Sequence, residues 1–233
     1  MEIKFLRIKR LPKFKFLKRK ISALRNKNMH KNRHIFTEIF KNNSWSSQES
    51  FSGTGSTLEQ TYFLRQELTR IINQYEINTI LDIPCGDFNW MKELDFKNLN
   101  YIGADIVKPL IEENRKKYQK LPNIKFKVID LTSHKLPKSD PIIVRDCFVH
   151  LSFKDIDKSI KNIKRSKSKY LLTTTFTDRN FNQDSVDGGW RTINLEKEPF
   201  NLPKPLEIIN EHCTEGDGKY SDKSMALYLI SNL

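Results

Sequence analysis

The sequence predicts a single doubly wound α/β domain, built on a mostly parallel seven-stranded sheet that ends in an antiparallel strand pair. Three observations carry this. Short apolar runs of strand length alternate with amphipathic stretches in the first two thirds of the chain, the pattern of a parallel sheet covered on both faces. The 233 residues are 37% hydrophobic and include 15 Phe, enough for one core and too few for two independent domains. The net charge of +13 is confined, because residues 1–34 hold 13 Lys and Arg against the single acid Glu2.

The organisation is therefore a basic extension, residues 1–34, followed by the folded domain, 35–233. In the extension, Phe14, Leu17, Ile21 and Leu24 recur every three or four residues after Pro12, which predicts a short basic amphipathic helix over 13–27. Such a helix suits an anionic membrane surface or a partner surface, and a solvated leader is the alternative reading. The domain itself is nearly neutral. A uniformly basic nucleic-acid-binding fold, whose phosphate contacts would need cations on the core, is disfavoured.

Residues 42–56, rich in Ser, Asn and Gly, read as a loop. From Thr57 to Tyr75, Leu58, Tyr62, Leu64, Leu68, Ile71 and Ile72 recur at helical spacing, and Thr57 with Gln60 has the form of a capping box. The run Thr79 to Ile83, stopped by Pro84 and Gly86, reads as a buried strand ending in a tight turn. Further strands are expected at 101–104, 125–129, 142–144, 170–175, 206–209 and 225–230, with helices over 110–120 and 153–164. No stretch of 18 apolar residues occurs, and no h-region marks a secretory signal. The cysteines Cys85, Cys147 and Cys213 have neither disulfide-framework nor zinc spacing, so no metal is expected and a cytoplasmic location fits. The basic extension adds the option of peripheral attachment at the inner face of a membrane.

In an open parallel sheet, ligands bind at the carboxyl ends of the strands beside the point where strand order reverses. The end of the first strand is Asp82-Ile83-Pro84-Cys85-Gly86-Asp87, and Asp105 follows Gly86 by 19 residues at the end of the next strand. A carboxylate so placed is suited to ribose hydroxyls. The turn has one glycine where a dinucleotide site uses three, and no phosphate-cradling loop is present. A cofactor with adenosine at one end and an amino-acid zwitterion at the other, as in S-adenosylmethionine, meets these conditions.

The segments "ILDIPCGDFNWM", "YIGADI", "VIDLT" and "IIVRDCFVHLS", in this order, resemble the successive motifs of class I S-adenosylmethionine-dependent methyltransferases, which have a Rossmann-like fold. The Pro-Cys-Gly-Asp form, with "SGTGSTLEQT" before it and "GGWRTINLEKEPFNLPKPLEIINE" and "GKYSDKSMALYLI" after it, resembles a little-characterised bacterial-type group. The likeness runs from about Trp45 to Leu233. It implies that Asp82, Pro84, Cys85 and Gly86 hold the methionine end, Asp105 the ribose with Ile106 against adenine, and Asp130 with Leu131 the adenine edge. Pro84 and Phe88 stand where the common first motif has glycines.

Methyl transfer needs a base only if the acceptor must lose a proton. If a helical turn begins after the fourth strand, Asp146 and His150 share a face, and His150 is the candidate base. Arg145 reads either as an anion clamp or as an ion-pair partner of Asp146. Residues 177–204 lack a helical stripe and read as an acceptor-binding lid with Arg179, Trp190 and Arg191 as contacts, or as a structural wrap. The function expected is methyl transfer from S-adenosylmethionine, with a sugar or other small hydroxylated acceptor preferred. The alternatives are a non-catalytic cofactor-binding scaffold and an RNA methyltransferase that uses the basic arm.

Overall fold

A computed structural model describes residues 31–233, so the helix expected over 13–27 and most of the basic extension lie outside the described residues. Residues 31–41 form helix α1, which runs through the boundary expected between residues 34 and 35. Then follow α2 (Tyr62–Gln74), β1 (Thr79–Asp82), β2 (Asn100–Asp105), α3 (Lys108–Lys117), β3 (Ile124–Val128), β4 (Ile142–Val144), α4 (Phe153–Ser166), β5 (Tyr170–Phe176), β6 (Glu207–Asn210) and β7 (Lys223–Leu229). Each expected strand is present within two residues of its expected ends.

The strands form one sheet in the order β3-β2-β1-β4-β5-β7-β6. Strands β1 to β5 run parallel to one another, whereas β7 runs antiparallel between β5 and β6. From β1 the chain moves outward to β2, and from β4 it moves outward the other way to β5. The carboxyl ends of β1 and β4 therefore diverge, and a crevice opens between them.

Side chains alternate across this sheet, so both faces must be covered. Ile80, Leu172, Met225 and Leu227 point into a core closed by Leu64, Leu68 and Ile71 of α2 and Ile111 of α3. Leu81, Leu171, Ala226 and Tyr228 point the other way, against Ile156 and Ile163 of α4. The apolar stripes read from the sequence are these covering faces.

The capping box is only half formed. The Thr57 hydroxyl accepts the Gln60 N–H at 3.3 Å, but the Gln60 amide donates to Thr214 Oγ1 at 2.6 Å. That tertiary bond takes away the reciprocal half, and residues 57–61 are turns before α2 begins at Tyr62.

The segment between β5 and β6 has neither helix nor strand, as expected, yet it is anchored. Ile193 and Leu195 are fully buried, and Asn182 and Asn194 bond along the backbone of the segment. Asp184 accepts the N–H of Phe153 at 2.7 Å and Asp187 accepts that of Ser152 at 2.9 Å, so the segment caps the first turn of α4. On its other side, Gly188 lies so close to α1 that a Cβ there would stand 2.5 Å from Ile35. Asn32 of α1 is buried and donates to Asp155 of α4 at 2.7 Å. Helix α1, the 184–191 segment and the start of α4 thus form one packed corner above the crevice.

Leu172 lies fully buried in the core of β5, so Leu172→Ala should cost about 2–5 kcal/mol, read as a lower denaturation midpoint with an unchanged slope.

Candidate active site

The crevice between β1 and β4 is walled by both strand ends, and the expected residues Asp82, Pro84, Cys85, Gly86, Asp105, Ile106, Asp130 and Leu131 all line it. Its outer side is aromatic. Phe36 and Phe40 of α1, Trp45, Phe51 and Trp90 close over it. Sequence reasoning missed these aromatic residues, since their convergence depends on α1 folding back over the strand ends.

The spacing between Gly86 and Asp105 has a direct physical basis. Gly86 N–H donates to Asp105 Oδ2 at 3.3 Å, and the Asp105 Oδ1 accepts Val107 N–H at 2.9 Å. The turn after β1 is thereby tied to the end of β2, with lone pairs of the carboxylate left for a ligand. Gly86 has φ of +53°, and a Cβ there would stand 1.9 Å from Ser52 Oγ. That close approach exists because the 47–52 loop is fastened onto the turn: Ser50 Oγ and Phe51 N–H donate to Asp87 at 2.9 Å each. From the far side Asn114 of α3 donates to Gly86 O at 2.8 Å.

Asp82 is buried and accepts the Tyr101 hydroxyl at 2.6 Å. Burial pushes its carboxyl up to about 7, against the opposing pull of the Tyr101 bond and Arg145. Burial likewise pushes Asp105 up to about 6, with the N–H donors of Val107 and Gly86 acting downward. Two desolvated carboxylates facing one aromatic-walled crevice suit a ligand with an ammonium and a ribose. The Cys85 thiol is buried and its pKa is raised by that burial and by Asp105, so it serves as a packing group.

Asp130 is engaged in its own turn. Its carboxylate accepts Thr132 N–H at 2.8 Å and the hydroxyls of Thr132 and Ser133 at 2.7 and 2.8 Å. It shapes the floor of the crevice beside Leu131, whose carbonyl accepts Asn162 Nδ2 at 2.8 Å.

The region after β4 departs from the helical turn expected there. Asp146 has φ of +49°, and a short 3-10 turn spans Phe148–His150. Asp146 does not orient His150. Its Oδ2 accepts Lys223 Nζ at 2.7 Å and lies 3.4 Å from Arg145, and these cations hold its carboxyl below the usual range against the opposing effect of burial. The imidazole is held instead by Gly189, whose carbonyl oxygen lies 2.7 Å from Nδ1. A carbonyl only accepts, so Nδ1 carries the proton and Nε2 of the neutral ring keeps its lone pair. Burial lowers the pKa of His150, partly offset by the Gly189 bond and Asp146. The ring packs against Trp45 with centroids 5.0 Å apart.

The three arginines expected at the site are engaged within the protein. Arg145 is buried, with Nη2 at 2.7 Å from Glu211 and 2.8 Å from Gly55 O. Arg179 pairs with Asp222 at 2.5 Å and also donates to Lys219 O. Arg191 donates to the carbonyls of Phe148 and Leu151 at 2.7 and 2.5 Å. Trp190 differs: it is 48% exposed and lines a second cleft that adjoins the crevice and shares Trp45, Ser52, Asp146 and His150 with it. Glu211, Lys223 and Tyr220 lie in segments that carry the resemblance but were not expected at the site, because only the antiparallel return of β7 beside β5 brings them to the strand ends.

The raised carboxyls fix a pH response. A folded-state pKa of about 7 for Asp82 lies above the usual carboxylate value, so the folded chain keeps a proton that the unfolded chain loses. Stability from this group is fully present below about pH 4 and is lost as pH rises through 7. Asp82→Asn, which still accepts from Tyr101, should raise the melting temperature at pH 8, by progressively less as pH falls, and leave it nearly unchanged below about pH 4.

Residues 80–168 match the family profile described as a methyltransferase domain. Solved structures share the fold at low identity. A S-adenosylmethionine-dependent methyltransferase from Clostridium acetobutylicum ATCC 824 aligns with a TM-score of 0.52 and 13% identity over 70% of this chain and 89% of its own. The methyltransferase domain of bacterial CtHen1 aligns at 0.56 and 15%, over 74% and 98%. The N-methyltransferase NodS from Bradyrhizobium japonicum WM9 aligns at 0.52 and 12%, over 73% and 96%. No curated protein sequence matches the chain. Residues 80–168 thus match a methyltransferase-domain model, and the seven-stranded sheet that contains them has the fold of these solved methyltransferases.

Proposed function

We propose that the chain transfers a methyl group from S-adenosylmethionine to a hydroxyl of a sugar or other small hydroxylated acceptor, with His150 as general base. The observation that carries this reading is the meeting of the cofactor crevice and the second cleft at His150, whose Nδ1 is occupied by Gly189 and whose Nε2 lone pair is free of that bond. Bound S-adenosylmethionine supplies a methyl sulfonium, which is electrophilic and leaves as a neutral thioether. Asp82 would hold the ammonium and Asp105 the ribose hydroxyls, with Ile106 and Leu131 flanking the adenine. His150 Nε2 would take the proton of the acceptor hydroxyl, whose oxygen is the nucleophile toward that methyl group. An oxygen nucleophile needs that proton removed, and positioning and exclusion of water contribute the rest.

Three outcomes follow. Asp82 ionises beside an ammonium, so calorimetry should show proton release on cofactor binding and affinity that tightens from pH 6 to 8, both lost in Asp82→Asn. At saturating cofactor, kcat should fall on the acid side with a midpoint below about 6.5, because the base form of His150 persists below the ordinary histidine value. His150→Ala should lower kcat by roughly 10²-fold or more with cofactor affinity unchanged. Cofactor binding without transfer to any pool of a cell extract would instead identify a scaffold.

For the basic extension we propose attachment to an anionic membrane surface, supported by its charge and its Phe14, Leu17, Ile21 and Leu24 stripe. Among the described residues no helix is long and apolar enough to cross a membrane. Removing residues 1–30 should abolish sedimentation with anionic vesicles and leave cofactor affinity intact. Loss of steeply salt-dependent RNA binding in the same truncation would favour the RNA-arm reading.

A further inference from the structure

The second cleft has a chemistry of its own. One wall is a mutually perpendicular aromatic group: Trp190 meets Tyr220 with centroids 5.0 Å apart at 67°, and Phe176 meets Trp190 at 6.4 Å and 89°. The exposed face of Trp190 is left for a ligand. Across the cleft stands Glu215, whose Oε1 accepts the Thr54 hydroxyl at 2.5 Å and whose Oε2, among the described residues, receives the weak Cys213 thiol at 3.8 Å. Among the described residues Glu215 forms no ion pair within 4.0 Å.

Cations nearby are already committed. Lys223 is bound by Asp146 and lies 3.5 Å from Glu211, and Arg145 is bound by Glu211. Counting these groups, the carboxylates of Asp146, Glu211 and Glu215 outnumber Arg145 and Lys223 by one. Arg179 is neutralised by Asp222, and Arg191 gives Nη1 and Nη2 to carbonyls at the base of the 3-10 turn and does not line the cleft. Lys219 lies over the Tyr220 ring at 5.9 Å and does not line the cleft. An anionic acceptor would meet a surplus carboxylate in a partly desolvated cleft with no guanidinium to answer it, which is strongly unfavourable.

Resting on the methyl-transfer reading above, we infer that the acceptor is a hydroxylated ring bearing no negative charge, neutral or amine-carrying, stacked on Trp190 and held by Glu215 through a hydroxyl or ammonium donor. Its far edge then presents a hydroxyl to His150. The aromatic face suits the axial C–H groups of a saturated ring or a cationic substituent, and the free Glu215 oxygen suits a donor. Phosphorylated rings, uronates and nucleic acid are excluded by the same arrangement.

The test is labelled-methyl transfer from S-adenosylmethionine to an extract of the native cells, followed by ion-exchange separation into anionic, neutral and cationic pools. Label in the neutral or cationic pool is expected, and label in the anionic pool overturns the inference. Label in no pool, with cofactor binding intact, overturns the methyl-transfer reading and this one with it. With the purified labelled acceptor, Glu215→Gln retains an oxygen for Thr54 and should lower kcat/KM at least tenfold through KM, with cofactor affinity unchanged. Titrating that acceptor in the presence of S-adenosylhomocysteine should quench tryptophan fluorescence in the parent chain and not in Trp190→Ala. An unchanged KM in Glu215→Gln, or equal quenching in both proteins, overturns the assignment of the cleft.

Discussion

The buried ion cluster at the end of β4 is the constraint on which the rest of the site depends. Arg145 is desolvated at the point where the strand order reverses, and its guanidinium joins Glu211 from beyond β6, Asp146 beside it and the Gly55 carbonyl of the covering loop. Lys223, from the start of β7, completes the group through Asp146 and Glu211. A buried charge without its partner costs about 3–5 kcal/mol, so each member holds the others in place. The cluster does more than neutralise itself. It fixes the antiparallel return of β7 against the parallel strands and ties the Gly55 loop over both openings, and it draws Asp146 away from the histidine it was expected to orient.

With Asp146 engaged, the imidazole depends on a backbone carbonyl. A carboxylate partner would stabilise the protonated ring and raise its pKa, whereas the Gly189 carbonyl selects the tautomer and leaves burial to hold the ring neutral. The crevice uses the complementary device: desolvation raises Asp82 to about 7 and Asp105 to about 6, which brings their titration toward neutral pH. Acid and base characters are thus separated by environment within one pair of adjoining openings.

The fold was legible in the sequence because each strand and each covering helix carries its own period. Ile80 and Leu81, or Leu171 and Leu172, report a strand buried on both faces wherever they are placed. The cofactor side was legible for a similar reason, since Gly86 and Asp105 belong to consecutive strands and their spacing is local. What could not be read was contact across the return of the chain. Nothing in the residues around Glu211, Glu215 or Lys223 shows that β7 inserts beside β5, and nothing around Phe36 and Phe40 shows that α1 folds over the crevice. The helical turn expected at Asp146 failed because its backbone turns left-handed, into reach of Lys223 and Arg145. Arg179 and Arg191 were legible as functional only in type, and their tertiary partners consume them.

The corner where Asp184 and Asp187 cap α4 joins the start of that helix to the imidazole of His150. The same segment supplies both the caps and, through Gly188 and Gly189, the bonds to His150. Swinging it outward strands two amide groups at the start of α4, at about 1 kcal/mol each, and releases the imidazole from its carbonyl in the same motion. The caps of α4 and the alignment of the imidazole are therefore mechanically coupled, because one displacement of the segment would remove both.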